Sequence, residues 1–234
     1  MANGGRMIKM LHRWRDTRRR IHLYLDTQRF RRHPAGLAQH LRLHLGCGPV
    51  RVEGYLNIDA SYGAKAADLV CDLMALDGYF SPGSIDSIYA CHVLEHFSTE
   101  QAQTLIRKLW TLLTVGAELR LSVPDLDRIV RIYAKNWEHF QTPGNSPWVG
   151  LIYGGQGTPY DYHKTGFNFC WMKYLLEKAG FSHIEEYSHV PHPLGIVDAS
   201  LAKEPFGEYL SLNVRATKSP HRSRDLSDRA EPVS

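Results

Sequence analysis

Short runs of alternating apolar and polar residues, separated by stretches of helical period, fill most of this 234-residue chain. The alternation predicts strands over 41–45, 55–59, 68–72, 85–91 and 118–123, with two more over 181–187 and 209–217. Between them, Ala102, Leu105, Ile106, Leu109 and Leu113 share one face of a helix predicted over 99–113. Ser98 with Gln101 forms a capping box at its start, and Gly116 is read as its stop signal. A second helix is predicted over 126–140, with Ile129, Val130, Tyr133, Trp137 and Phe140 on one face and Asp125 as its cap. A third, over 169–179, stops at Gly180. Residues 141–167 are rich in Gly, Pro and Tyr and read as a long functional loop. Strands interleaved with helices predict an α/β fold with a parallel sheet.

Composition adds a boundary. With 43% hydrophobic and 22% charged residues, the chain is ordinary for a soluble domain. No apolar run reaches the roughly 18 residues of a membrane span. The N-terminus is polar and basic from Arg6 onward and lacks a signal-peptide core. The four cysteines, Cys47, Cys71, Cys91 and Cys170, form no CxxC pair, which predicts reduced thiols and a cytoplasmic location.

The net charge of +4 is unevenly placed. Residues 1–33 hold ten of the 28 basic residues and only two of the 24 acidic ones, which leaves 18 basic and 22 acidic residues in the rest. Residues 1–33 are therefore read as a basic helical extension, with Trp14 and Leu25 on its apolar side and a break at His33-Pro34. That side can pack on the body. Alternatively, residues 6–32 can meet an anionic partner, a nucleic acid or a membrane surface. The main domain is expected over 34–218, and the polar tail 219–234 is expected to be disordered. Oligomeric state is not legible.

The candidate chemistry begins where the first strand ends. Leu45-Gly46-Cys47-Gly48 lets backbone approach a ligand, and Asp59, at the end of the second strand, can accept ribose hydroxyls. This points to a nucleotide-like cofactor. A nicotinamide dinucleotide is disfavoured: Arg51 stands at the third glycine position, and Asp59 follows Gly48 by 11 residues where about 20 are usual. No GK[ST] follows, so a P-loop is also disfavoured.

The ordered set Leu45–Gly48, Asp59, Asp72-Leu73, Ser84–Ile88 with His92–Phe97, Leu113–Ala117 and Lys178–Phe181 resembles the class I S-adenosylmethionine-dependent methyltransferases over roughly residues 41–217. Within that family it resembles the type 11, ubiquinone-biosynthesis-like group and a GCG…GYLNID subgroup associated with glycan synthesis. The resemblance implies a doubly wound, mostly parallel seven-stranded sheet with an antiparallel last strand. It also implies S-adenosyl-L-methionine as cofactor, held by Leu45, Gly46, Cys47, Gly48, Asp59, Asp72, Leu73, Cys91 and His92. The acceptor it implies is a small molecule or glycan methylated on oxygen. An RNA methyltransferase and a cofactor-binding scaffold without turnover remain as alternatives. Only nine residues separate Leu45 from Tyr55, so the usual first helix must shrink to about a turn.

Methyl transfer needs a group to take the acceptor's proton, and histidine suits this near neutral pH. Two are candidates: His92 after the fourth strand, and His163 in the long loop, where Tyr160, Asp161 and His163 are expected to touch the acceptor. His92-x-x-Glu95-His96 also matches an inverted zinc-protease motif. It follows a strand directly, runs into the Ser98 cap and lacks an evident further ligand set, so no metal site is assigned; the resemblance leaves a metal at His92, Glu95 and His96 open, because some related methyltransferases bind one through carboxylate and histidine residues at this place.

Overall fold

The computed structural model describes residues 41–141, 147–203 and 207–220. The expectations for residues 1–33 and for the tail beyond 220 lie outside the described residues. Seven strands, β1 (Leu41–Leu45), β2 (Leu56–Asp59), β3 (Leu69–Val70), β4 (Ile85–Cys91), β5 (Leu113–Pro124), β6 (Phe181–Glu186) and β7 (Ser211–Lys218), form one sheet in the order β3-β2-β1-β4-β5-β7-β6. The first five run parallel, while β7 is antiparallel to both β5 and β6. The order reverses direction between β1 and β4. This is the switch point where a crevice opens beyond the strands' carboxyl ends.

The two faces of the sheet differ. Leu43, Leu45, Ile58, Ile88, Ala90, Leu119, Leu121, Val214 and Ala216 join one core with α1 (Thr99–Leu112) and α4 (Phe169–Ala179). The alternate positions carry His44, Asn57, Tyr89, Ser122 and Asn213, all nearly or wholly buried. A parallel sheet packed on both sides by helices usually reads as continuous apolar runs. Here the second face is polar instead, and hydrogen bonds pair much of it, although Asn213 Nδ2 is buried without a partner among the described residues. Ser122 Oγ donates to Asn213 Oδ1 at 2.7 Å, and Tyr89 meets the segment at 192–198.

The capping box of α1 is present: Ser98 Oγ accepts from Gln101 N–H, and the Gln101 side chain accepts from Ser98 N–H. Loss of such a cap costs about 1 kcal/mol. The helix ends one residue earlier than predicted. Leu113 is extended, wholly buried and already paired with Ile85 of β4, so the chain passes from helix to strand without a loop. Gly116, read as the stop, lies inside β5 at φ +82°.

Helix α2 (Leu126–Lys135) starts on Asp125 as predicted but is shorter. Asn136 closes it by bonding the Ile132 carbonyl, and a separate 3₁₀ turn follows over Trp137–Gln141. Its buried face is Ile129 and Ile132. Val130, Tyr133 and Trp137 are exposed and supply no reason to extend it. The predicted long loop is also broken by α3 (Pro147–Tyr153), whose Leu151 packs on Ile129, Ile132 and Leu210. Pro147 at the first helical position suits such a start.

Between β1 and β2 no helix forms, and the chain shrinks to hydrogen-bonded turns as expected: Val50 N–H donates to Cys47 O and Tyr55 N–H to Val52 O. Asn57 organises the connection in the helix's place. Its Oδ1 accepts from Val52 N–H (2.9 Å) and from His44 Nδ1–H (2.9 Å), while its Nδ2 donates to Tyr55 O and Asp68. Arg51 then spans the short crossover to Asp68 at 2.7 Å.

Candidate functional site

The carboxyl ends of β1, β2 and β4 meet at the switch point. Gly46 and Gly48 both adopt left-handed backbone, at φ +64° and +50°. A Cβ at Gly46 would lie 2.3 Å from Val93 Cγ2, so only glycine fits between β1 and the turn after β4. A Cβ at Gly48 would meet nothing, which leaves that peptide open on its outer side. Asp59 Oδ2 accepts from Gly48 N–H (2.9 Å) and Oδ1 from Ser61 N–H (2.8 Å). The carboxylate thus fixes the glycine turn and retains lone pairs for a ligand. Cys47 N–H donates to Ile58 O and Cys71 N–H to Asp59 O, which extends the strand pairing around this cradle. Asp72 caps a 3₁₀ turn over Leu73–Gly78 through Met74 N–H; the Asp72 side chain is exposed and Leu73 is buried. Burial pushes the thiols of Cys47 and Cys71 up to about 12, and raises Cys91 too, so these cysteines pack as neutral groups.

Past β4 the chain turns sharply. His92 sits at φ +52°, a strained conformation for a non-glycine residue and one that clusters at functional sites. Its Nε2 lies 2.8 Å from Ser211 Oγ, whose own hydroxyl donates to Ala199 O. Ser211 therefore accepts from His92 Nε2–H, which leaves the lone pair on Nδ1. That nitrogen faces Glu95 Oε1 at 3.4 Å. Burial lowers the His92 imidazole to about 4 and raises the Glu95 carboxyl to about 8, so both are predominantly neutral at pH 7. Glu95 is 1% exposed, and neither of its carboxyl oxygens has a hydrogen-bond partner within the described structure.

The segment after α3 docks against this turn. Lys164 and Thr165 N–H both donate to Glu95 O (2.7 and 3.3 Å), and Thr165 Oγ1 donates to Phe97 O. The docking brings His163 beside His96, with ring centroids 5.0 Å apart and planes at 72°. Burial lowers both imidazoles; His96 lowers His163 further, and Lys164 lowers His96. A cavity of about 240 Å³ opens here, lined by Glu95, Pro124, Leu126, Leu151, His163 and Thr165.

The structure thus brings His163 to the carboxyl edge but ties His92 to Ser211. Tyr160 is 63% exposed. Asp161 closes its own loop: its carbonyl accepts from Gln156 N–H, its carboxylate from Gly157 N–H, and a Cβ at Gly154 would lie 2.0 Å from that carbonyl.

A buried cluster on the polar face lies outside the residues that the sequence motifs single out. The Tyr89 hydroxyl donates to Asp198 and lies 3.2 Å from His192 Nε2, with His44 stacked on its ring. Burial opposes ionisation of Asp198, yet hydrogen bonds from Ser200 and Tyr89 hold its carboxyl below the usual range. Its signal in the sequence was Tyr89 at a position opposite to Ile88 and Ala90. A larger open groove of about 500 Å³ lies beside α2 and β6, but its Arg128 is already held by Asp125, Glu186 and Ser211 O.

A methyltransferase from Methanosarcina mazei, dependent on S-adenosylmethionine, has this arrangement of strands and helices. It is similar over 78% of this chain and 94% of its own, at a TM-score of 0.50 and 16% identity. This chain has the class I methyltransferase fold. Two further methyltransferase structures are similar. One, from Archaeoglobus fulgidus, covers 83% of this chain and 94% of its own, at a TM-score of 0.49 and 14% identity. The other, phosphoethanolamine N-methyltransferase 2 of Haemonchus contortus in complex with S-adenosyl-L-methionine, covers 82% and 52%, at 0.45 and 14%. No family model and no curated protein matches the chain. At such identities the likeness is one of fold, and within the methyltransferase fold the cradle and the cavity occupy neighbouring strand ends. Among the described residues no helix is long and apolar enough to cross a membrane.

Proposed function

We propose that this protein is an S-adenosylmethionine-dependent methyltransferase whose acceptor is a hydroxyl of a small molecule or glycan. The observation that carries this reading is the cradle at the switch point. Gly46 has no room for a side chain, the Gly48 peptide is open, and Asp59 keeps lone pairs free. A cofactor with a ribose and an extended amino-acid arm suits such a cradle. The residues that would hold it are Leu45, Gly46, Cys47, Gly48 and Asp59, with Asp72, Leu73, Cys91 and His92 at the neighbouring strand ends. S-adenosylmethionine, when bound, supplies an electrophilic methyl group on a sulfonium that needs no activation to leave.

What remains for the protein is positioning and proton removal. The Glu95 cavity opens by the ends of β4 and β5, beside the β1–β4 crevice, and an acceptor bound there would stand next to the cofactor end. Correct placement of two reactants can supply much of the acceleration. Polar groups from Glu95, His163 and Thr165 stand among the apolar side chains of Leu126, Leu151 and Pro124, a lining that suits a ring with hydroxyl substituents. His163 Nδ1 donates to Leu151 O at 3.1 Å, so its neutral form carries the lone pair on Nε2, fit to draw a proton from the acceptor. His92, bonded to Ser211 and facing Glu95, acts as a positioning residue for that carboxyl group.

Calorimetry of the full chain with S-adenosylmethionine tests the reading. Expected are one bound cofactor per chain and affinity weakened by Asp59→Ala. Transfer of labelled methyl groups to a panel of sugars and phenols then tests the acceptor class. No cofactor binding would overturn the whole reading. Binding with methylation of RNA alone would overturn the acceptor, and binding without turnover on any acceptor would favour a scaffold.

A further inference from the structure

One buried hydroxyl decides how His92 presents itself to Glu95. Ser211 Oγ stands between Ala199 O at 3.1 Å and His92 Nε2 at 2.8 Å. A serine has a single proton to give. Given to the carbonyl, it leaves Ser211 able only to accept, so His92 must carry its own proton on Nε2. The ring then turns the Nδ1 lone pair toward Glu95 Oε1, 3.4 Å away. The position of Ala199 O thus sets the tautomer of a histidine in another segment. We propose that Asp198 is a positioning residue that selects the His92 tautomer by holding Ala199 O against Ser211.

Asp198 fastens the turn that carries Ala199 to the sheet. Its Oδ1 accepts from Ser200 N–H at 2.9 Å and from the Ser200 hydroxyl, which caps the 3₁₀ turn Ala199–Leu201. Its Oδ2 accepts from the Tyr89 hydroxyl. Tyr89 lies on β4, three residues before His92. The path Tyr89–Asp198–Ala199–Ser211–His92 is therefore a closed ring that begins and ends on one strand.

The direction of the bonds in that ring is fixed as well. His192 Nδ1 accepts from Leu194 N–H, so its Nε2–H faces the Tyr89 hydroxyl at 3.2 Å. Tyr89 accepts there and must donate to Asp198. The side chains of His192 and Asp198 are 3% and 5% exposed, which keeps water from taking either place. Ser211 cannot follow a displaced Ala199. Its own carbonyl is held by Arg128 Nη1–H at 3.0 Å and by His189 Nε2–H at 2.8 Å.

Release of the turn would free the Ser211 proton for His92 Nε2. The imidazole proton would then sit on Nδ1 and face Glu95 Oε1. An N–H in that place favours a charged carboxylate, where the present lone pair disfavours one. Because Glu95 lines the cavity, the tautomer sets the polarity that an acceptor meets. The effect on turnover rests on the methyl-transfer reading, whereas the tautomer is a property of the chain alone.

Nitrogen NMR of the full chain labelled in histidine reads the tautomer, and His92→Gln identifies the signal by removing it. In the parent, His92 should carry its proton on Nε2 alone. Asp198→Ala should move part of the population to Nδ1–H. Turnover should fall about 10²-fold at unchanged cofactor affinity, since a misplacement of about 1 Å far from the chemistry can cost that much. Tyr89→Phe keeps the ring and removes one anchoring bond. It should shift the tautomer in the same direction by less, and it decides the matter if Asp198→Ala fails to fold. Variants that lose stability yet keep His92 wholly protonated on Nε2 would make Asp198 a purely structural residue and overturn the proposal. A parent protonated on Nδ1 would overturn it too. If the tautomer shifts as expected in a chain that binds no S-adenosylmethionine, the role of Asp198 stands and the methyl-transfer reading falls.

Discussion

The cradle and the Glu95 cavity are adjacent in space but built by different means. Gly46, Gly48 and Asp59 lie within 14 residues of one another and act largely through backbone shape. Glu95, His96 and His163 act through side chains, and the loop carrying His163 must dock on the turn after β4 before the cluster exists. Backbone geometry tolerates little substitution, because a left-handed turn or a missing Cβ has no chemical substitute. A side-chain cluster can lose one member and leave the fold intact. The two ends should therefore fail differently: damage at the cradle should abolish cofactor binding, and damage at the cavity should abolish turnover alone.

The largest effect is expected from Gly46→Ala. The new Cβ would press on Val93 at 2.3 Å and force a non-glycine residue to φ +64°. Strain and overpacking together should remove about 2–4 kcal/mol of stability. Denaturant titration reads that loss, and calorimetry should show cofactor affinity weakened more than 100-fold. Normal affinity in this variant would mean that the cradle is not where the cofactor binds.

His163→Ala should leave cofactor affinity unchanged while turnover falls about 10²–10⁴-fold, the usual range for a residue that handles a proton. A parallel fall in cofactor affinity would erase the division between the two ends. Asp59→Ala should do the reverse. Loss of one hydrogen bond to a charged acceptor is worth about 1.5–3 kcal/mol, hence an affinity weakened about 10–100-fold. Turnover at saturating cofactor should change far less.

The same contrast governs what could be read from the chain alone. The glycine pair and Asp59 are a local pattern, and the strand ends that carry them follow from period-two alternation, so cradle and sheet were legible. His163 was legible only as a residue type in a Gly-rich stretch. Its meeting with His96 depends on two amides finding the Glu95 carbonyl, and no local pattern encodes that contact. Glu95 was legible only as part of His92-x-x-Glu95-His96. Its orphaned carboxyl is a consequence of burial, which depends on α2 and α3 closing over it. Tyr89 and Asp198 were missed for the same reason, because their partner is 109 residues away. The errors in helix ends have a related cause. Val130, Tyr133 and Trp137 have the period of a buried face, but the core reaches only Ile129 and Ile132.

The smallest effect should come from behind the cradle, where Asp68 substitutes for the missing first helix. It accepts from Asn57 N–H and Nδ2–H, both at 3.0 Å, and pairs with Arg51 at 2.7 Å, which pins β2 and with it Asp59. Burial opposes ionisation of Asp68, but the bonds from Arg51 and Asn57 prevail and hold its carboxyl below the ordinary value. A depressed native pKa means that the stabilising contribution is complete above the unfolded value of about 3.9 and is lost as pH falls through the lower folded value. Asp68→Asn should therefore cost about 1–2 kcal/mol near neutrality and show a smaller further loss of stability on acidification than the parent chain. Denaturation at a series of pH values reads both. Cofactor affinity should weaken only a few-fold, since Asp59 keeps its own bonds to Gly48 and Ser61. If Asp68→Asn instead weakens cofactor affinity as much as Asp59→Ala does, the crossover network is part of the cradle, and the boundary between scaffold and site must be moved back to Arg51.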